Sequence, residues 1–354
     1  MSLATAAARP ATADPAPTRI LVVDDSAVAR AVIGRAIEAD PRFKVVGSVP
    51  HAAAARGFLQ TNRVDALVLD IEMPGVNGLT ALPSLIADGQ GAKVLVVSSS
   101  AGEGASATIE ALALGAADTL VKPAVGGFSG RFSTDLVEKL GRLCAREQSA
   151  TAVRPAPRRA GADGFDIVAI GASTGGIHAL KLILTELPAS FTLPIIITQH
   201  LPESFMPYFA AQVAVLAKRP CDVAEDRTRV RPGRVLVAPG DAHIRLVSTG
   251  DGAAVRLVNK RATSGCMPSV DPMFESLAEV YGPRALAVVL SGMGRDGRDG
   301  ACEVARAGGV VVVQDRESSV VWGMPGSVAS SGSAHAILPP AEIAKLIVAG
   351  RRPS

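Results

Sequence analysis

The chain has 354 residues, of which 48% are hydrophobic, 19% charged and only 3% aromatic. It can therefore bury a large interior, but an aliphatic one, the composition of parallel sheets covered by helices, and its length calls for two domains. The net charge of +3, from 36 Lys+Arg against 33 Asp+Glu, together with so few aromatic side chains, argues against a basic or base-stacking nucleic-acid surface.

Cys144, Cys221, Cys266 and Cys302 form no CxxC pair and have no histidine at ligand spacing. Their spacing indicates neither a zinc site nor a disulfide framework, and a reducing compartment fits. Residues 1–18 are Ala/Pro-rich, lack the apolar core of a signal peptide and read as a disordered tail. No run approaches the ~20 apolar residues of a membrane span, so the expectation is a cytoplasmic protein without membrane insertion.

From residue 19 onward, apolar runs at 19–23, 44–49, 66–69, 94–97 and 119–121 alternate with helical patterns such as Ala29, Val32, Ile33, Ala36 and Ile37. This predicts a doubly wound, flavodoxin-like parallel sheet over 19–146, closed by a helix bearing Leu136, Leu140 and Leu143. Residues 147–164 carry two prolines and three arginines without apolar periodicity and read as a linker. A second α/β domain is expected over 165–349, with strands at 166–170, 194–198, 235–239, 286–290 and 310–313 and helices near 177–187 and 299–307. Two alternating runs around Thr249, Gly250, Asp251 and Gly252 predict a hairpin, placed at an antiparallel edge of the otherwise mostly parallel second sheet.

In the first domain Asp24, Asp25, Asp70, Ser98 and Lys122 all stand at carboxyl ends of predicted strands, which converge on one crevice in an open parallel sheet. Clustered carboxylates repel unless a cation neutralises them, and oxygen ligands suit Mg2+. Asp70 is then placed to take a phosphoryl group, with Lys122 balancing charge and Ser98 bonding a phosphate oxygen. Through LVVDDS (21–26), LDIEMPGVNG (69–78), VSS (97–99) and VKP (121–123), this half resembles the response-regulator receiver domain. The resemblance implies phosphorylation of Asp70 by a histidine kinase, with Asp24, Asp25, Asp70 and the backbone of Glu72 around the metal. It departs from the receiver pattern at Thr119, where an aromatic residue is usual.

In the second domain, GASTGG (171–176) lies where a strand turns into a helix, and free amides of Thr174, Gly175 and Gly176 are expected to favour an anion there. A nucleotide-phosphate loop competes with a nucleophile turn at this point, although the segment lacks a P-loop lysine and GxGxxG spacing. His200 and Asp296 end two other predicted strands, so the sheet can bring serine, histidine and aspartate together for general-base activation of a hydroxyl. His51, His178, His243 and His335 have no comparable context.

With QHLPESF (199–205), VAPGDAH (237–243), PSVDPMF (268–274), SGMGRDG (291–297) and WGMPGS (322–327) following in order, residues 165–349 resemble the catalytic domain of the chemotaxis protein-glutamate methylesterase family. The resemblance implies a nucleophile Ser173, a general base and acid His200, an orienting Asp296, and oxyanion donors at the amides of Thr174 and Met293. It further implies chemoreceptor glutamyl methyl esters as substrate, a slower glutamine deamidation, and no metal for hydrolysis. An esterase outside chemotaxis and a non-catalytic phospho-dependent binding protein are the alternatives.

Overall fold

The structure, a computed structural model, describes residues 16–75, 77–98, 103–122, 130–145 and 164–350. The tail before residue 16 and residues 147–163 of the expected linker lie outside them. The first unit runs β1 (Thr18–Val23), α1 (Ala27–Glu38), β2 (Phe43–Val49), α2 (Ala52–Thr61), β3 (Ala66–Asp70), α3 (Gly78–Asp88), β4 (Lys93–Ser98), α4 (Glu103–Leu114), β5 (Asp118–Val121) and α5 (Gly130–Cys144). Its five strands pair in parallel in the order β2-β1-β3-β4-β5. Side-chain caps start the helices: Ala29 N–H donates to Ser26 Oγ (3.2 Å), Thr80 N–H to Asn77 Oδ1 (2.8 Å), and Ala54 N–H to Nδ1 of the otherwise unassigned His51 (3.1 Å).

The second unit runs β6 (Ile167–Ala172), α6 (Gly176–Leu184), β7 (Ile195–Gln199), α7 (Met206–Ala217), β8 (Cys221–Val223), β9 (Val235–Val237), β10 (His243–Thr249), β11 (Gly252–Val258), α8 (Val270–Tyr281), β12 (Ala285–Val289), α9 (Arg298–Arg306), β13 (Val310–Gln314), α10 (Gly323–Ser330), β14 (Ala336–Leu338) and α11 (Pro340–Ala349). Seven strands pair in parallel in the order β14-β13-β12-β6-β7-β9-β8. Every position of β6, β7, β12 and β13 is buried, because helices cover both faces, which accounts for the unbroken Val/Ile/Ala runs.

The hairpin differs from its expected place. β10 and β11 pair antiparallel as a separate two-stranded sheet, and the edges of the main sheet are the three-residue β8 and β14. The alternation of β10 buries one face against α8, where Leu246 N–H donates to Ser276 Oγ (2.9 Å), while β11 bonds through its backbone to residues 227–230, so the pair is anchored by a helix and a loop rather than by the main sheet. β8 and β14 are too short to show a period. Between the units, α4 lies against α6 and α7, and Ile109 and Leu112 share one apolar cluster with Ile177, Leu201 and Phe205. Among the described residues no helix is long and apolar enough to cross a membrane.

Candidate active site

β12, β6 and β7 are neighbours at the centre of the seven-stranded sheet, in a register that pairs Ala172 with Gln199 and Gly171 with both Thr198 and Val289. The residues that follow β6 and β7, Ser173 and His200, therefore emerge side by side, at the point where the strand order reverses, with β7 on one side of β6 and the later β12 on the other. Ser173 N–H donates to Ser291 O and His200 N–H to Ala172 O, both at 3.1 Å. Glycines permit this turn. Gly175 caps α6 at φ 75°, and a Cβ on Gly292 would stand 2.4 Å from Met324 Sδ and 2.9 Å from Ser173 Cβ.

His200 Nε2 and Asp296 Oδ2 lie 2.7 Å apart, which leaves Nδ1 for the serine side. Asp296 is 1% exposed and is held by Ser269 Oγ–H donating to Oδ1 (2.6 Å) and Val270 N–H donating to Oδ2 (2.7 Å). Burial opposes its charge, but the His200 bond, the His200 charge and these two donors outweigh it and hold the carboxyl below the usual carboxylate range. Burial likewise disfavours imidazolium, yet the contacts with Asp296 and Cys266 raise His200 from 6.5 to about 9. Ser173, Thr174, His200, Cys266 and Met293 line one cavity of about 390 Å3.

Of the three turn amides expected to be free, two are taken. Gly176 N–H donates to Ser173 O (2.8 Å) and Gly175 N–H to Ala117 O of the first unit (2.9 Å). Among the described residues neither Thr174 N–H nor Met293 N–H has a backbone acceptor, so both can serve an oxyanion. The first unit reaches the same turn with side chains. Thr174 Oγ1–H donates to Asp118 Oδ2 (3.2 Å), Lys139 Nζ stands 2.9 Å from that oxygen, and His178 Nδ1 lies 3.2 Å from Ala113 O.

At the other end of β5, oxygens of Asp24, Asp25 and Asp70 lie within 4.8 Å of one another. Lys122 Nζ is 2.5 Å from Asp70 Oδ2 and 3.0 Å from Asp24 Oδ2, and Glu72 N–H donates to Asp70 Oδ1 (3.0 Å). Asp24 Oδ2 is buried and, although near that ammonium, accepts no well-directed hydrogen bond among the described residues. Three oxygen donors, one of them without a hydrogen bond, fit a hard divalent cation. Burial raises the Asp70 carboxyl despite the lysine; burial also opposes the Lys122 charge, but Asp70 and Asp24 raise it on balance. Ser98 is buried and hydrogen-bonded to Thr108 of α4, and Thr119 is buried with no partner for its hydroxyl among the described residues.

Ser269, and the His243 that the sequence left without a role, join the site through the fold. Ser269 N–H donates to His243 Nδ1 (2.9 Å), so the His243 proton sits on Nε2, where it meets Lys260 O at 2.9 Å. The nearest signal was PSVDPMF itself, which ends one β-strand connection and opens α8 beneath Asp296.

A family model described as CheB methylesterase matches residues 168–347, and one described as response regulator receiver domain matches residues 20–126. The chain is 39% identical over 363 residues to the protein-glutamate methylesterase/protein-glutamine glutaminase of Azospirillum brasilense, covering 94% of this chain and 92% of that protein. The chain belongs to this family. A protein-glutamate methylesterase/protein-glutamine glutaminase 2 of Pseudomonas aeruginosa is 39% identical, with 96% and 99% of the two chains covered. The crystal structure of the Thermotoga maritima CheB methylesterase catalytic domain matches at a TM-score of 0.51 and 37% identity, covering 52% of this chain and 98% of that one. The esterase reading of the GASTGG turn, rather than the nucleotide-loop reading, agrees with this membership.

Proposed function

We propose that this methylesterase hydrolyses glutamyl γ-methyl esters on chemoreceptors, releasing methanol, and deamidates specific receptor glutamines more slowly, in the cytoplasm and under control of a histidine kinase. The observation that carries the reading is the 2.7 Å His200–Asp296 contact beside Ser173, inside a methylesterase family match. Neutral His200 accepts the Ser173 proton at Nδ1 while Asp296 holds the other ring nitrogen. Ser173 Oγ attacks the ester carbonyl, whose oxygen takes its developing charge against the amides of Thr174 and Met293. His200 then returns the proton to the leaving methoxide, and water activated by the same ring releases glutamate from the acyl-enzyme. An amide leaving group is poorer, which makes deamidation the slower reaction.

In the receiver, Asp24, Asp25, Asp70 and the backbone of Glu72 would hold Mg2+, which would supply the positive charge that offsets the carboxylates during phosphoryl transfer. Asp70 accepts the phosphoryl group; Lys122 and Ser98 bind its oxygens. The Ala117 carbonyl on Gly175 and the Asp118 carboxylate on Thr174 support occlusion of the nucleophile turn by the unphosphorylated receiver. Phosphorylation shifts that equilibrium toward an open arrangement.

The test is methanol release from methylated receptor membranes by wild type, Ser173→Ala and Asp70→Ala, with and without a small-molecule phosphodonor. Ser173→Ala is expected to abolish release, and Asp70→Ala to abolish stimulation only. Release unchanged by Ser173→Ala rules out the serine mechanism. Removal of residues 1–160 is expected to raise basal release, and occlusion is wrong if it does not.

A further inference from the structure

The fold brings together three donors that sequence spacing kept apart. One ligand atom each from His200, Cys266 and Asp296 lies within 4.8 Å of the others, on the segments after β7, after β11 and after β12. Cys266 is half-buried and lines the same cavity as Ser173, so an ion can enter by the route substrate uses. Its loop is tied in place: Cys266 N–H donates to Ser264 Oγ (3.3 Å), and Ser264 Oγ–H donates to Ser269 Oγ (3.2 Å), whose own hydroxyl holds Asp296. One thiol, one imidazole and one carboxylate, with a fourth position facing a cavity, form a donor set for a borderline-soft tetrahedral cation rather than for Mg2+ or Ca2+.

We propose that His200, Cys266 and Asp296 form an inhibitory binding site for Zn2+ that shuts off ester hydrolysis by occupying the imidazole. Metal–ligand bonds of about 2.0 to 2.3 Å set donors roughly 3.3 to 3.7 Å apart in a tetrahedron. Donors that now lie within 4.8 Å reach that spacing by side-chain shifts of about 1 Å or less. With Nε2 as the imidazole donor, its 2.7 Å contact with Asp296 Oδ2 opens by about 0.6 Å to admit the ion. Binding releases the Cys266 thiol proton and any proton on the bound ring nitrogen to solvent, with no change of oxidation state. Cys266 has no covalent step in ester hydrolysis but touches His200, so Zn2+ inhibition of Cys266→Ala is read against that variant's own metal-free rate.

The inhibitory consequence rests on His200 acting as the base; the binding does not, and the two are read separately. Full-length protein in excess Mg2+, which occupies the receiver carboxylates, is titrated with Co2+ as a spectroscopic substitute and then with Zn2+. One equivalent of Co2+ is expected to give thiolate-to-metal charge-transfer absorption that is lost in Cys266→Ala, which retains Cys144, Cys221 and Cys302. Zn2+ is expected to lower phosphodonor-stimulated methanol release at least about tenfold in wild type and less than about twofold in Cys266→Ala, with reversal by a chelator. Absence of the thiolate absorption in wild type overturns the site. Equal Zn2+ inhibition of wild type and Cys266→Ala overturns it as well. Thiolate absorption with full activity retained leaves the metal site standing and refutes His200 as the base.

Discussion

Asp118→Ala tests whether the receiver holds the catalytic turn shut. The substitution removes the acceptor of Thr174 Oγ1 (3.2 Å) across the interface and the partner of Lys139 (2.9 Å) within the receiver, while the main-chain bond from Gly175 to Ala117 (2.9 Å) survives. A half-buried hydroxyl-to-carboxylate bond is worth about 1 to 2 kcal/mol, and only the Thr174 bond is specific to the closed arrangement. If the open form is a minor population, losing that much multiplies it, and therefore the basal rate, by about 5 to 30, with the rate of the chain lacking residues 1–160 as the ceiling. The assay is methanol release without phosphodonor, with Asp118→Asn, which keeps an oxygen for Thr174, expected to fall between wild type and Asp118→Ala. A truncated chain that is fast beside an Asp118→Ala chain as slow as wild type refutes the latch. A truncated chain no faster than wild type refutes occlusion altogether.

Two further outcomes follow from the Asp296 network. His200 is raised from 6.5 to about 9 and Asp296 is held below 3.8, so the stability their pair contributes is complete below pH 6.5 on the imidazole side, is lost as pH rises through about 9, and is lost again as pH falls below the ordinary carboxylate value. Asp296→Asn is accordingly expected to cost about 3 kcal/mol near pH 6 and progressively less as pH rises from 6.5 to about 9, read from thermal unfolding at a series of pH values. A cost independent of pH contradicts the pairing. The same variant is expected to move the ascending, acid-side limb of kcat/KM down from about 9 toward 6.5, since catalysis needs the neutral ring. Ser269→Ala removes the 2.6 Å donor to Asp296 Oδ1 and is expected to lower kcat about tenfold with KM little changed. A rise in KM alone places Ser269 in substrate binding instead.

The identity of the strands and the strand-end positions of the candidate site residues were determined by the sequence. Aliphatic runs such as IVAIGA before Ser173 and ALAVV before the loop of Asp296 are buried on both faces, so each betrays itself as a central parallel strand, and the residue at its carboxyl end follows by counting. Asp24, Asp70, Ser173 and His200 were legible for that reason.

What the tertiary structure decided is what those ends face. The order β12-β6-β7 and its register set His200 beside Ser173 and aim its Nε2 at Asp296, which no spacing along the chain specifies. Gly175 and Gly176 read as free amides because the sequence cannot see that Ala117, far upstream, supplies an acceptor, or that the turn closes on Ser173 O. The hairpin was found from its alternation, but alternation says which face is buried and not against what, so α8 rather than the main sheet became its partner. Cys266 carries the same lesson in its chemistry. Its neighbours along the chain offer no ligand pattern, and only the convergence of three separate segments at one end of a sheet places its thiol against an imidazole and a carboxylate.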